Sequence, residues 1–138
     1  MKQYEELVRI AIKMREYSYA PYSHFTVGAA LLSKKGKIFS GCNIENASYS
    51  PTICAERVAF FKAISEGERE FKAIAIVGGK ENEKPNDYCA PCGVCRQVMN
   101  EFCDGDFQIL LIKNENDISV YTLLELLPKG FGPHNLSK

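Results

Sequence analysis

The spacing of apolar residues divides the first half of the chain into helical and extended segments. Apolar residues recur at helical intervals near the N-terminus and predict an amphipathic helix over residues 4–17. Val27–Leu32 and Lys37–Cys42 predict two strands joined by a glycine-containing turn. A second helix is predicted from Cys54 to Ser65, because Gly67 follows it as a stop signal.

The second half of the chain carries two nearly continuous apolar runs. Phe71–Val77 and Phe107–Ile112 each predict a strand that is buried on both faces. Between them, Pro91 is expected in the first turn of a helix that runs from Cys92 to Phe102. Only five residues separate the second run from the next strand, Ile118–Tyr121. So short a link favours an antiparallel hairpin, because a parallel crossover needs a dozen residues or more.

The resulting order of elements predicts an α/β fold. A last short helix is predicted at Leu123–Leu127, before a Gly/Pro-rich tail, which completes the order α-β-β-α-β-α-β-β-α. Helices interspersed in this way cover both faces of one sheet. We therefore expect a single domain over residues 1–138, built as a three-layer α/β/α sandwich around a five-stranded mixed sheet.

Composition argues against several classes of function. The chain has 17 basic and 17 acidic residues, so no net charge attracts it to a nucleic acid polymer or a membrane surface. No apolar run approaches the roughly 20 residues that a membrane span requires. Glu5 and Glu6 stand where a signal peptide would begin its apolar stretch, so a cytoplasmic location is expected. In that compartment the six cysteines are not expected to form disulfides.

Three cysteines stand at the starts of two predicted helices. Cys54 begins the second helix, and Cys92 and Cys95 form a Cys-x-x-Cys pair at the start of the third. Helix N-termini stabilise thiolates through their unpaired N–H groups and their dipoles. Because catalytic zinc commonly takes three protein ligands and leaves a fourth position open, these cysteines predict one Zn²⁺ per chain.

Other uses of the cysteines stay open at this point. Free cysteine also packs as a small buried hydrophobe. A structural zinc site would take a fourth ligand, for which Cys89, Cys42 and His24 are candidates. The run Cys89-x-x-Cys92-x-x-Cys95 is also compatible with an iron–sulfur cluster, although it lacks the fourth cysteine followed by proline.

Glu56 favours a catalytic zinc over these alternatives. It follows Cys54 by two residues, too close for a comfortable ligand on the same helical turn but near enough to move protons at the open position. Three thiolates on Zn²⁺ leave a net charge of about −1, which weakens the metal as a Lewis acid. Arg57 is the nearest residue that could donate hydrogen bonds to a ligand sulfur, and Arg96, beside Cys95, is a second candidate.

The two cysteine segments, Cys54-Ala55-Glu56 and Pro91-Cys92-Gly93-Val94-Cys95, resemble the paired signatures of the zinc nucleoside deaminases. The resemblance runs from about residue 19 to residue 131 and includes segments 22–30, 41–49 and 126–131. Together these segments are similar to the small, homotetrameric cytidine deaminases.

This resemblance implies hydrolytic deamination of cytidine and deoxycytidine to uridine and deoxyuridine, with release of ammonia, in pyrimidine salvage. Zinc-bound hydroxide would attack C4 of the base while Glu56 shuttles protons. The nearest rival is a deaminase of the blasticidin S type. A rival from another class is a non-catalytic structural zinc module.

The resemblance also implies a nucleoside pocket that subunits share. Asn43 and Glu45 would hydrogen-bond the ribose, and Phe25 would stack on the pyrimidine. Neighbouring subunits of a homotetramer would supply three further residues, Ala47, Tyr49 and Phe131.

Overall fold

The computed structural model describes residues 2–137 and has a five-stranded sheet at its centre. The strands are Phe25–Ser33 (β1), Ile38–Cys42 (β2), Phe71–Lys80 (β3), Gln108–Asn114 (β4) and Asp117–Thr122 (β5). They lie in the order β2-β1-β3-β4-β5. Each strand that the sequence predicts is therefore present, within a few residues at its ends.

The sheet is mixed, as predicted. β3 pairs parallel with β4 and antiparallel with β1, and the hairpins β1-β2 and β4-β5 are both antiparallel. Only Lys72 and Lys80 of β3 are exposed. A central strand covered on both faces explains why its sequence is a continuous apolar run without polar alternation.

In the described part of the chain, five helices accompany the sheet. They are Lys2–Met14 (α1), Ala55–Ser65 (α2), Gly93–Phe102 (α3), Leu123–Leu126 (α4) and Pro133–Ser137 (α5), and a 3₁₀ turn at Arg15–Tyr17 extends α1 to the predicted end of the first helix. Within residues 2–137, no helix combines the length and the apolar character that crossing a membrane requires.

The helices lie on both faces of the sheet and form the predicted three layers. α1 buries Leu7 and Ala11 in one apolar cluster with β1, β3 and β4. On the opposite face, α2 and α3 bury Phe60 and Met99 in a second cluster. Fully burying a side chain as large as Phe60 contributes about 1.5–3 kcal/mol. The second cluster holds α2 and α3, including Ala55 and Cys95 near their starts, against the sheet.

Two local predictions were wrong. Pro91 lies outside α3, because the extended Cys92 is the N-cap and its carbonyl accepts the N–H of Arg96 at 3.0 Å. The Gly/Pro-rich tail contains a helix, α5. Gly132 and Asn135 stabilise its first turn, since the Gly132 carbonyl accepts the Asn135 N–H at 2.9 Å and the Asn135 Oδ1 accepts the Gly132 N–H at 2.9 Å.

Candidate active site

Three sulfur atoms converge where α2 and α3 begin. Cys54 and Cys92 are the N-caps of the two helices, and Cys95 lies in the first turn of α3. The three Sγ atoms lie within 4.8 Å of one another, and those of Cys54 and Cys92 are 3.7 Å apart. Within residues 2–137, this is the only group of three or more potential metal ligands so arranged.

The sulfur spacing fits a tetrahedral zinc ion. Zn–S bonds of about 2.3 Å at tetrahedral angles place two sulfurs about 3.8 Å apart, close to the separation of Cys54 and Cys92. Neither N-cap side chain is used to cap its own helix, so both sulfurs are available to the metal. Gly41 on β2 packs directly against the Ala55 carbonyl, where a side chain would collide, and this contact holds the start of α2 close to the sheet.

Arg57 supplies positive charge beside the sulfurs. Its Nη2 donates to Cys54 Sγ at 3.4 Å. The hydrogen bond from the Cys95 thiol, followed by that from Arg57, lowers the pKa of Cys54 to about 5. The same shared proton raises the pKa of Cys95. A thiolate is therefore favoured at this cluster, which is the form that binds zinc.

Arg96 does not contact a sulfur atom in this arrangement. Its Nε donates to the Pro91 carbonyl at 2.7 Å, and its Nη1 donates to the Leu126 carbonyl at 2.8 Å. Arg96 thus ties the loop that precedes Cys92 to the end of α4. The charge of the thiolates is offset by Arg57.

Glu56 is a buried acid beside the sulfur cluster. It is only 4% exposed, and burial, followed by repulsion from the Cys54 thiolate, raises its pKa to about 7. Glu56 lines a cavity of about 210 Å³ together with Cys54, Cys92 and Asn43. A carboxyl group with a pKa near neutrality can both take up and release a proton in this cavity.

Asn43 is buried and holds the start of β1. Its Oδ1 accepts the Val27 N–H at 2.8 Å, and its Nδ2 donates to the Phe25 carbonyl at 2.8 Å. A side-chain amide has a second N–H and a second lone pair, so Asn43 can still bond a substrate hydroxyl.

Glu45 organises the loop in front of β1. Its carboxylate accepts the backbone N–H groups of Tyr22 at 3.0 Å and Ser23 at 3.1 Å, and also the Ser23 hydroxyl. Ser23 Oγ in turn accepts the Phe25 N–H at 3.0 Å. Ser23 is thus a positioning residue that sequence reasoning missed, since its role depends on partners that the fold brings together.

A second cavity, of about 330 Å³, adjoins the first. It is lined by Glu45, Tyr49 and Thr52, and Thr52 also lines the cavity of the sulfur cluster. Tyr49 therefore lies beside Glu45 of its own chain. Ala47 is exposed near it, and Phe131, also exposed, lines neither cavity.

Two further residues, Cys89 and Gly78, lie near the first cavity but outside the predicted set of site residues. Cys89 lines it but lies outside the sulfur cluster, and burial raises the pKa of its thiol to about 12. Gly78 on β3 packs against Cys89 and Phe25, because a Cβ there would be 2.8 Å from Cys89 Sγ and 3.0 Å from Phe25 Cε2. The three-residue spacing of Cys89 placed it near the site, whereas no local signal pointed to Gly78.

Comparisons with known proteins agree with this geometry. A family model described as "Cytidine and deoxycytidylate deaminase zinc-binding region" matches residues 1–111. Cytidine deaminase of Sporosarcina psychrophila is 50% identical over 133 residues, which cover 96% of this chain and 94% of that protein. The 1.6 Å crystal structure of cytidine deaminase from Burkholderia pseudomallei has a TM-score of 0.83 and 46% identity, covering 91% of this chain and 97% of that one. Blasticidin-S deaminase of Bacillus cereus is 32% identical over 126 residues, covering 89% and 88% of the two chains.

Proposed function

Because the chain belongs to the cytidine and deoxycytidylate deaminase family, we propose that it hydrolyses cytidine and deoxycytidine to uridine and deoxyuridine and releases ammonia. One observation carries this proposal: two cysteines of the three-sulfur cluster, Cys54 and Cys92, line the same small cavity as the buried carboxyl group of Glu56. A structural zinc site has no need of either the cavity or the acid. We place the reaction in pyrimidine salvage in the cytoplasm.

Cys54, Cys92 and Cys95 hold the metal, and Glu56 moves the protons. Zinc, when bound, supplies a Lewis acid that lowers the pKa of a water molecule toward about 7. The Glu56 carboxylate accepts a proton from the attacking water and, as the acid, delivers it to N3 of the pyrimidine. Glu56 then accepts the proton of the new C4 hydroxyl and delivers it to the amino nitrogen, so that the C4–N bond breaks, the C4 carbonyl forms and ammonia leaves. The pKa of about 7 suits transfer in both directions at neutral pH.

The remaining residues bind the nucleoside in this proposal. Asn43 and Glu45 hydrogen-bond the ribose, and Phe25 stacks on the base. Two hydrogen bonds support this arrangement, because they fix the backbone of Phe25. Ser23 Oγ accepts the Phe25 N–H, and the Asn43 side chain donates to the Phe25 carbonyl.

Neighbouring subunits of a homotetramer complete the pocket with Ala47, Tyr49 and Phe131. Their exposure supports this part of the proposal, since Tyr49 is 77% exposed and Phe131 is 58% exposed. Tyr49 lines the second cavity, and an exposed aromatic side chain beside a cavity suits a surface that a partner covers.

Replacing Arg57 by glutamine is expected to lower kcat or zinc affinity by about tenfold, the lower end of the effect of losing a hydrogen bond to a metal ligand. The guanidinium that offsets the charge at Cys54 would be absent. Steady-state kinetics and competition with a zinc chelator measure the two quantities. Arg9→Gln, on the exposed side of α1, is the control and should behave as wild type. An Arg57→Gln enzyme with unaltered kcat and zinc affinity would contradict the role of Arg57.

Replacing Gly78 by alanine is expected to raise KM for cytidine about tenfold, with a smaller effect on kcat. β3 is fixed by partner strands on both sides, so the new methyl group displaces the Phe25 ring and the Cys89 side chain. Adding Cys89→Ala removes the closest clash, at Sγ, and should recover part of the loss. An unchanged KM in Gly78→Ala would show that the position of the Phe25 ring does not depend on Gly78.

A panel of substrates tests the proposed function. Cytidine, deoxycytidine, a cytosine nucleotide and blasticidin S are compared, and the products are identified by chromatography. We expect the two nucleosides to be the best substrates, because this chain is more similar to a cytidine deaminase than to a blasticidin-S deaminase. Turnover of blasticidin S alone would favour that rival, and zinc without turnover of any nucleoside would indicate a structural module.

A further inference from the structure

The backbone of Phe131 is fixed against the surface of α3. Gln97 Nε2 and Asn100 Nδ2 both donate to the Phe131 carbonyl oxygen, each at 2.8 Å. Residues three apart lie on the same side of a helix, so both amides reach a single oxygen, which has two lone pairs to accept them. We call this pair of hydrogen bonds the amide clamp.

The residues on either side of Phe131 bring the chain close to the helix. A Cβ at Gly130 would lie 2.8 Å from Leu127 Cδ2, and a Cβ at Gly132 would lie 2.6 Å from Asn100 Nδ2. Lys129 directs the chain into this segment with a φ of +57°, in the left-handed region. Gly130 and Gly132 therefore pack closely against the Leu127 and Asn100 side chains, which a side chain at either glycine would displace.

The Phe131 side chain contrasts with its fixed backbone, because more than half of its surface is exposed. An aromatic ring presented from an ordered segment loses little further entropy when it contacts a partner. The amide clamp therefore suits a ring that must close a pocket at a defined position.

We propose that Gln97 and Asn100 are positioning residues for the nucleoside pocket, and that they hold Phe131 in place to close the pocket of a second copy of this chain. This inference rests on the proposed function, in which Phe131 acts in a neighbouring subunit. Neither amide touches the substrate. Both act through the carbonyl of Phe131.

The isosteric variants Gln97→Glu and Asn100→Asp test the amide clamp. Each replaces an N–H donor by a carboxylate oxygen that repels the Phe131 carbonyl. We expect each variant to raise KM for cytidine about threefold to tenfold, which is the effect of one lost hydrogen bond. The double variant should raise KM more than either single variant. Zinc content should not change. Glu101→Gln, an exposed position on the same helix, is the matched control.

A Phe131→Ala background separates this inference from the proposed function. We expect Phe131→Ala to raise KM, and the amide-clamp substitutions to add nothing further in that background. If Phe131→Ala raises KM but both clamp variants leave KM unchanged, the proposed role of Gln97 and Asn100 is wrong. The proposed role of Phe131 in the pocket then stands. Clamp substitutions that raise KM equally with and without Phe131 would also overturn the proposed role of Gln97 and Asn100. An unchanged KM in Phe131→Ala would refute the role of Phe131 and the clamp together.

Discussion

Replacing Glu56 by glutamine is expected to lower kcat for cytidine by about 10²–10⁴-fold, the range attributed to a positioned acid–base group. Glutamine has nearly the same size and fits the buried position, so the cavity and the three sulfurs should be unchanged. It cannot accept the proton of the attacking water or deliver one to N3. The loss should therefore fall on kcat, with one zinc ion still bound per chain.

Steady-state kinetics and metal analysis on the same preparation of Glu56→Gln measure both quantities. Glu66→Gln is the matched control at the other end of α2, where the side chain forms only an exposed ion pair with Lys37. Such a pair contributes little to stability. Activity near that of wild type in Glu56→Gln would refute the assignment of Glu56 as the proton carrier.

Replacing Cys92 by serine is expected to remove zinc and to bring deamination below detection. A serine hydroxyl stays protonated and is a poor zinc ligand, so only two thiolates would remain. The fold should survive, because Cys92 is exposed and is the N-cap of α3, a position that serine favours. Metal analysis after dialysis, together with circular dichroism, distinguishes zinc loss from unfolding.

Cys89→Ser is the matched control for this experiment. Cys89 lines the same cavity but lies outside the sulfur cluster, so its variant should keep one zinc ion per chain. Loss of zinc from Cys89→Ser would instead indicate a site of four cysteines, closed to water. Retention of zinc and activity by Cys92→Ser would contradict the ligand assignment.

The sequence predicted the sheet well because burial leaves a strong local pattern. β3 is covered on both faces, and its continuous apolar run shows this directly. The turn between β4 and β5 is too short for anything but a hairpin. α5 was missed because glycine and proline are typical of loops, whereas the reciprocal hydrogen bonds of Gly132 and Asn135 are visible only in the folded chain.

The same distinction applies to the site. The cysteine spacing, Glu56 and Arg57 are local features of two helix starts, and the resemblance to paired family signatures indicated that the two helix starts act together. Ser23 was missed because its role depends on Glu45, 22 positions away. The amide clamp joins Gln97 to a carbonyl 34 positions along the chain, a contact that no local pattern indicates.

Zinc reconstitution tests most directly whether the sulfur cluster is the centre of deamination. Metal-free protein, prepared with a chelator, is titrated with zinc while cytidine loss is followed by ultraviolet absorbance. We expect activity to rise in proportion to bound zinc and to level off at one ion per chain, with uridine and ammonia formed in equal amounts. Full activity without metal, or full zinc occupancy without loss of cytidine, would contradict a zinc-dependent deaminase.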